Sequence, residues 1–333
     1  MLFRSFLLLV TNFAWIALNN VIAARALADI VPGDARLWSV LVGAVAVVVT
    51  LYGPRAMALF NRAAVPLLLI VGVALTVVIV GAGMGRLDRP GDGSMSLLGG
   101  FDVVIGYQVS WSLMFADYTR FQRREGGAAL AVFLGLALSS LWLVGLGAAA
   151  ARIGGANDPT AMILGAGLPI AALLLMALST ITTNFVNLYL SALAVRNLWP
   201  KAPPRPTVLV VGVIGTVFGL LSPNLLDQYA AFMGWIGTGF LPIAAITVVH
   251  FFVLHRGAAV LPRAWSRSAI VAWLAGVACY QGVLRFAPQV GATVPTLVIT
   301  AICYWALLRP DRRSPSASRV RSAAPDPPRA SCP

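Results

Sequence analysis

Charge is what this sequence is shortest of. Asp, Glu, Lys and Arg make up 11% of its 333 residues, under half of the roughly 25% that soluble domains carry. With 59% hydrophobic residues and a mean hydropathy of +0.86, the chain has too little polar surface to coat a water-soluble globule. Cysteine is as sparse. Cys279 and Cys303 lie in apolar segments and Cys332 in the tail, with no spacing for a metal or a redox pair. No carboxylate sits clearly at the middle of an apolar run, so proton coupling through a buried acid has no candidate. There is no H-E-x-x-H, no pair of intramembrane aspartates and no Ser/His pair, which argues against an enzyme. The net charge of +13 does not mark a nucleic-acid binder, because the basic residues fall in short loops between apolar segments, as topology signals do. The partner implied instead is the lipid bilayer.

What the chain has in quantity is apolar runs. Ten segments read as membrane helices, at about 5–28, 37–52, 63–83, 97–119, 128–151, 168–195, 207–223, 229–254, 268–287 and 293–309. The pattern predicts an all-α polytopic membrane protein. Residues 1–309 form the membrane domain, and the Pro-, Ser- and Arg-rich residues 310–333 form a disordered basic tail. The first segment opens like a signal peptide and carries Ala26-Leu27-Ala28. Asn12, Asn19 and Asn20 interrupt its apolar run and Trp15 is large for such a leader, so it reads as a membrane helix with a polar face. Arg55 and Arg62, Arg120 to Arg124, Arg196 to Arg205 and Arg256 to Arg267 lie in loops on one side, opposite Asp29, Asp34, Asp88, Asp92, Asp158 and Asp227. Positive loops stay in the cytoplasm. Ten crossings then place both termini there, in a cell inner (plasma) membrane.

Polar residues at membrane depth gather in three segments. Trp15 and Asn19 are four apart and share a helix face. Gly106, Gln108 and Ser110 interrupt the fourth segment, which predicts a break in that helix lining a cavity. Ser179, Thr182, Thr183, Asn184, Asn187 and Tyr189 crowd the sixth. The Ser179 carbonyl with the Thr182 and Thr183 hydroxyls makes an oxygen-only set suited to a hard monovalent cation such as sodium. Asn and Gln amides supply both donors and acceptors, and an indole supplies a stacking face. Together they suit a small planar solute with several hydrogen-bonding edges, although any one of these residues could equally be interhelical glue. Asp117 beside Arg120 reads as a surface ion pair, and His250 as an interfacial packing histidine.

Four stretches resemble the nucleobase:cation symporter-1 family of cytosine, purine, allantoin and hydantoin permeases. They are Ala14-Trp15-Ile16-Ala17-Leu18-Asn19; Gly106 to Phe121, with its D-Y-T-R-F end; Thr182-Thr183-Asn184-Phe185-Val186-Asn187-Leu188-Tyr189; and Phe240-Leu241-Pro242 with His250 to Leu254. The resemblance implies a LeuT-like inverted-repeat fold, with 5–83 as an incomplete first repeat, 97–254 as the second and 268–309 as two accessory helices. It implies import of a nucleobase-like solute by symport with Na+ or H+. By position, Trp15 would stack on the base, Asn19 would bond its edge, Asn184 or Asn187 would bond it from the facing helix, and Gly106 and Gln108 would complete the substrate site. Ser179, Thr182 and Thr183 would match the family's sodium ligands.

Gln108 departs from the family pattern, standing where an aromatic is usual, with Tyr107 or Trp111 as substitutes. His250 replaces a common aspartate. The chain also begins at the equivalent of the family's third helix, so its first two helices lack a counterpart here. A remnant or scaffold without transport activity is the alternative this raises. An upstream start is expected: about 60 codons of preceding reading frame should encode two apolar segments, the first with a Gly-rich break. An immediate upstream stop codon would refute it.

Overall fold

The computed structural model describes residues 2–81, 93, 95–112, 114–115, 119, 124–154, 171, 174–222, 224–255 and 266–308. Among them ten helices carry the chain: α1 (Leu2–Ile30), α2 (Ala35–Leu51), α3 (Pro54–Gly81) and α4 (Leu97–Ser112) come first. α5 joins Glu125–Val132 to Ser139–Gly154 through a π turn at Phe133–Leu138, and α6 runs Ser179–Leu198 after a π segment at Leu174–Leu178. Next come α7 (Pro204–Leu221), α8 (Tyr229–Val248, extended by a π turn at Val249–Leu254), α9 (Arg267–Phe286) and α10 (Thr293–Leu307). Seven of these stretches are long and apolar enough to cross a membrane by themselves, while α2 and α10 are shorter apolar helices. Asp117, most of the D-Y-T-R-F run and the tail from 310 lie outside the described residues.

Helix α1 is the axis of the bundle. One side of it, through Ile16, packs with Val47 of α2, Phe185 and Leu188 of α6, and Val208 and Val211 of α7. Another side, through Trp15 and Leu18, packs with Val109 of α4, with Met233, Ile236 and Phe240 of α8, and with Tyr280 of α9. Large apolar side chains elsewhere point outward, among them Ile70, Val77, Leu141, Val213 and Ile302. Such a surface would drive aggregation in water and is stable against acyl chains. Without a hydrophobic drive between helices in lipid, close fit and polar pairing hold the bundle together. At α5, Trp142 Nε1 donates to Thr76 Oγ1 of α3 at 3.1 Å.

The break expected around Gly106 to Ser110 is not there. α4 is continuous from Leu97 to Ser112. Gly106 has a packing reason: a Cβ at that position would stand 2.5 Å from the Met233 carbonyl oxygen, so glycine lets α4 lie against the backbone of α8. Ser110 and Ser112 turn their hydroxyls back onto the carbonyls of Tyr107 and Val109, both at 2.6 Å. The helix stops at Ser112, beyond which Met114 N donates to Trp111 O.

Asp102, 4% exposed, ties α4 to the end of the fold. Its carboxylate accepts from Ala292 N at 2.6 Å and Thr293 N at 2.9 Å, two of the donors that the first turn of α10 leaves open. Gly291, with φ +74°, makes the turn that aims them, and Leu98 Cβ would be 3.0 Å from any Cβ added there. At the other end of α10, Tyr304 Oη meets His250 Nδ1 at 2.9 Å, so His250 pairs between α8 and α10. Asp102→Ala should orphan two buried N–H groups and cost about 2 kcal/mol or more, with Asp102→Asn intermediate because it keeps one acceptor oxygen. Thermal unfolding of the purified protein should rank wild type above Asp102→Asn above Asp102→Ala.

Candidate functional site

Between α1, α4 and α6 lies a cavity of about 200 Å³. Trp15 and Asn19 of α1 line it. So do Tyr107, Ser110 and Trp111 of α4, with Met114 just past it, and Ser179, Thr180, Thr183 and Asn187 of α6. The indole of Trp15 stands edge-on to Tyr107 at a centroid distance of 5.9 Å and to Phe232 at 5.2 Å. These edge contacts clamp the indole from two sides. The aromatic wall is thereby held by packing on both α4 and α8.

The α1–α6 wall is an amide network. Asn184 is fully buried. Its Nδ2 donates to Asn20 Oδ1 at 2.9 Å and to the Ile16 carbonyl at 3.4 Å. Its Oδ1 accepts from Asn19 Nδ2 at 3.0 Å and from Asn187 Nδ2 at 3.3 Å. Asn20 continues to Thr216 Oγ1 of α7 at 3.1 Å. One turn away, Asn12 Nδ2 reaches Ser191 Oγ at 3.0 Å and the Asn187 carbonyl at 3.3 Å. All of these groups would be costly to leave open at membrane depth, and the pairing satisfies most of them.

At the cavity's edge, Thr182 and Thr183 both fold back on the Ser179 carbonyl, at 2.9 and 2.8 Å. Three neutral oxygens therefore meet within one turn, directly after the π segment Leu174–Leu178. π turns recur at functional sites because they disturb the regular carbonyl ladder. Thr183 borders both the cavity and a wider groove of about 880 Å³ beside it, whereas Thr182 faces the groove.

Of the residues singled out by sequence, Trp15, Asn19, Ser179, Thr183 and Asn187 converge on the cavity. Asn184 stands behind its wall. Gly106 is engaged by α8, and Gln108 lies outside the small cavity, on the α5 side of α4, where the groove shares Val104 and Ser140 with the wider one at Thr183. Tyr107 and Trp111, its neighbours on α4, face the cavity. Sequence reasoning assigned no role to Asn12, Asn20, Ser191 or Thr216. The available signal was spacing: 12 and 19 share one face of α1 with 20 beside it, and 184, 187 and 191 share one face of α6.

A helical bundle enclosing a small half-polar hollow at membrane depth is the build of a multi-pass membrane transport protein. The sequence profile of the family described as "Permease for cytosine/purines, uracil, thiamine, allantoin" matches residues 1–305, and the chain belongs to that family. Cytosine permeases of Escherichia coli K12 and O157:H7 are each 25% identical to it over 254 residues. Those matches cover 74% of this chain and 58% of the permeases' own length. The fold is that of Mhp1, a nucleobase-cation-symport-1 family transporter solved in a closed conformation with bromovinylhydantoin bound. The TM-score is 0.71 at 20% identity, covering 92% of this chain and 75% of Mhp1.

Asn184→Leu, close in volume, should leave Asn19, Asn20 and Asn187 each short of a partner. The expected cost is about 2–4 kcal/mol. It should appear as a lowered thermal midpoint, whereas an equal substitution at outward-facing Val213 should not move it.

Proposed function

We propose that this protein is a secondary active transporter that imports a planar, nucleobase-like solute by cation symport. The observation that carries the reading is the convergence of a clamped indole, two amides and a three-oxygen turn on one cavity of about 200 Å³. That volume suits a single heterocycle. In this reading Trp15 offers its face to the ring while Asn19 and Asn187 bond its edge. Asn184 orients both amides. Gly106 keeps α4 close to α8 so that Tyr107, Ser110 and Trp111 reach the cavity, and Gln108 faces the groove between α4 and α5.

Ser179, Thr182 and Thr183 are the proposed cation ligands. Neutral hydroxyl and carbonyl oxygens can replace the water around sodium without a fixed charge. To do so, the two hydroxyl hydrogens must swing off the Ser179 carbonyl, which frees its lone pairs. Na+ is therefore favoured over H+, since no acid lies in this turn. Binding to a turn shared with the solute cavity gives the ion different affinity for the closed and open forms, which is the requirement for coupling. The basic loops support a plasma-membrane protein with both termini in the cytoplasm.

Proteoliposome uptake of labelled cytosine, uracil, hypoxanthine and allantoin, with and without a sodium gradient, tests the reading. At least one solute should accumulate in a gradient-dependent way, and uptake of none would reject it. Thr183→Ala should weaken the sodium dependence; an unchanged sodium response would remove Thr183 from the cation site.

A further inference from the structure

We infer that the proposed cation site takes one more oxygen, the side-chain carbonyl of Asn61 on α3, so that a bound ion joins α3 to α6. The inference rests on the cation half of the function proposed above and adds a ligand from a second helix.

Asn61 Oδ1 is buried and accepts no hydrogen bond among the described residues. A polar atom left open at membrane depth is costly, and the amides between α1 and α6 avoid that cost by bonding one another. Pairing between helices accounts for Asn184 and does not account for Asn61. The next residue, Arg62, is exposed, which keeps its charge with water.

Asn61 lines the wider groove of about 880 Å³, and so do Thr182 and Thr183. The register of the two helices brings them to one level. Met57 and Phe60 of α3 share an apolar cluster with Phe185 and Leu188 of α6, and Phe60 meets Phe185 edge-on at a centroid distance of 5.0 Å. Further along α3, Val71 and Leu75 cluster with Leu175 and Met176, which precede α6. The helices therefore run antiparallel, and a step forward on α3 is a step back on α6. Asn61 is one residue beyond Phe60, and Thr182 is one turn before Phe185. Their levels then differ by roughly two residues, or about 3 Å along the axis.

The Ser179 carbonyl and the Thr182 and Thr183 hydroxyls lie within one turn and approach an ion from a single side. The other side opens on the groove that Asn61 borders. An amide carbonyl is a neutral oxygen dipole of the kind that replaces the water around sodium, and no hydrogen has to be moved off it first. The donor set thus fits a hard monovalent cation. An ion held between two helices binds more tightly when they are close than when they part, which supplies the state dependence that coupling requires.

The test is equilibrium binding of radiolabelled sodium to the purified full chain, with choline chloride holding ionic strength constant, beside the thermal midpoint in choline alone. Wild type should bind sodium. Asn61→Leu, which keeps the volume and removes the oxygen, should weaken binding about tenfold. Its midpoint in choline should not fall, since the carbonyl has no partner to lose. Asn61→Asp keeps an oxygen and adds a charge, so it should bind sodium at least as tightly as wild type, whereas a packing role predicts that Asp is as damaging as Leu. Val65→Ala, one turn along the same wall, should leave sodium binding unchanged. Full-strength binding in Asn61→Leu, or equal losses in Asn61→Asp and Asn61→Leu, would overturn the inference and leave Thr182 and Thr183 in place. No sodium binding by wild type would overturn the inference together with the proposed sodium coupling.

Discussion

A polar atom at membrane depth has no water to fall back on, and the α1–α6 seam is organised around that constraint. Asn184 sits where it is most severe: fully buried, between two helices, bonded to three asparagine amides and one backbone carbonyl. The side chains it touches reach Trp15's helix on one hand and, through Asn20, helix α7 on the other. Unfolding the seam in lipid would leave several amides competing for partners, so the helices stay in register. That register decides which faces of α1 and α6 look into the cavity. Position in the bundle and chemistry of the hollow are one consequence of the same pairing.

The cavity is ordered by this seam and by the clamped indole on the same helix α1. A binding site that is already ordered loses little freedom on taking a ligand, and its selectivity is sharper for that reason. Helices α8 to α10 take no part in the amide pairing and meet α1 through apolar contacts with Trp15 and Leu18. They are joined to α4 by Asp102 at one end and to each other by His250 and Tyr304 at the other. α4, like α1, has ties to both groups: it lines the cavity through Tyr107, Ser110 and Trp111 while its buried carboxylate holds α10. A shift of α4 would change the cavity and the far helices together.

Much of the fold was legible because hydropathy carries it. The eighth segment read at 229–254 matches Tyr229–Leu254, and the last two segments match α9 and α10 closely. The site was partly legible, since Trp15, Asn19 and the hydroxyl-rich start of α6 stand out against apolar neighbours. The helix break was misread. Glycine in a membrane helix has two uses, opening the backbone or admitting another helix, and sequence does not separate them. At Gly106 the second use applies, with Met233 as the visitor. Gln108 was misleading for a related reason. It is the most polar residue in its neighbourhood, but helical phase turns it toward α5, and the aromatics on either side take the inner face. The supporting shell of Asn12, Asn20, Ser191 and Thr216 was the hardest to read, because a buried asparagine alone looks like glue until its partner on another helix is known.

Thr183 is where the proposed solute and cation sites become one device. Its hydroxyl lines the cavity, donates to the Ser179 carbonyl and borders the wider groove. In the resting arrangement that carbonyl accepts two hydroxyl hydrogens, so its lone pairs are already committed. An arriving cation must displace both. Doing so turns the Thr183 hydrogen away from the helix and toward the cavity or groove, and changes what a solute meets there. Conversely, a solute that needs lone pairs from Thr183 competes with the ion for the same oxygen unless the two share it, as an oxygen with two lone pairs permits. Coupling through a single shared neutral oxygen needs no carboxylate at the midplane. It is consistent with a chain whose one deeply buried acid among the described residues, Asp102, is occupied in holding α10.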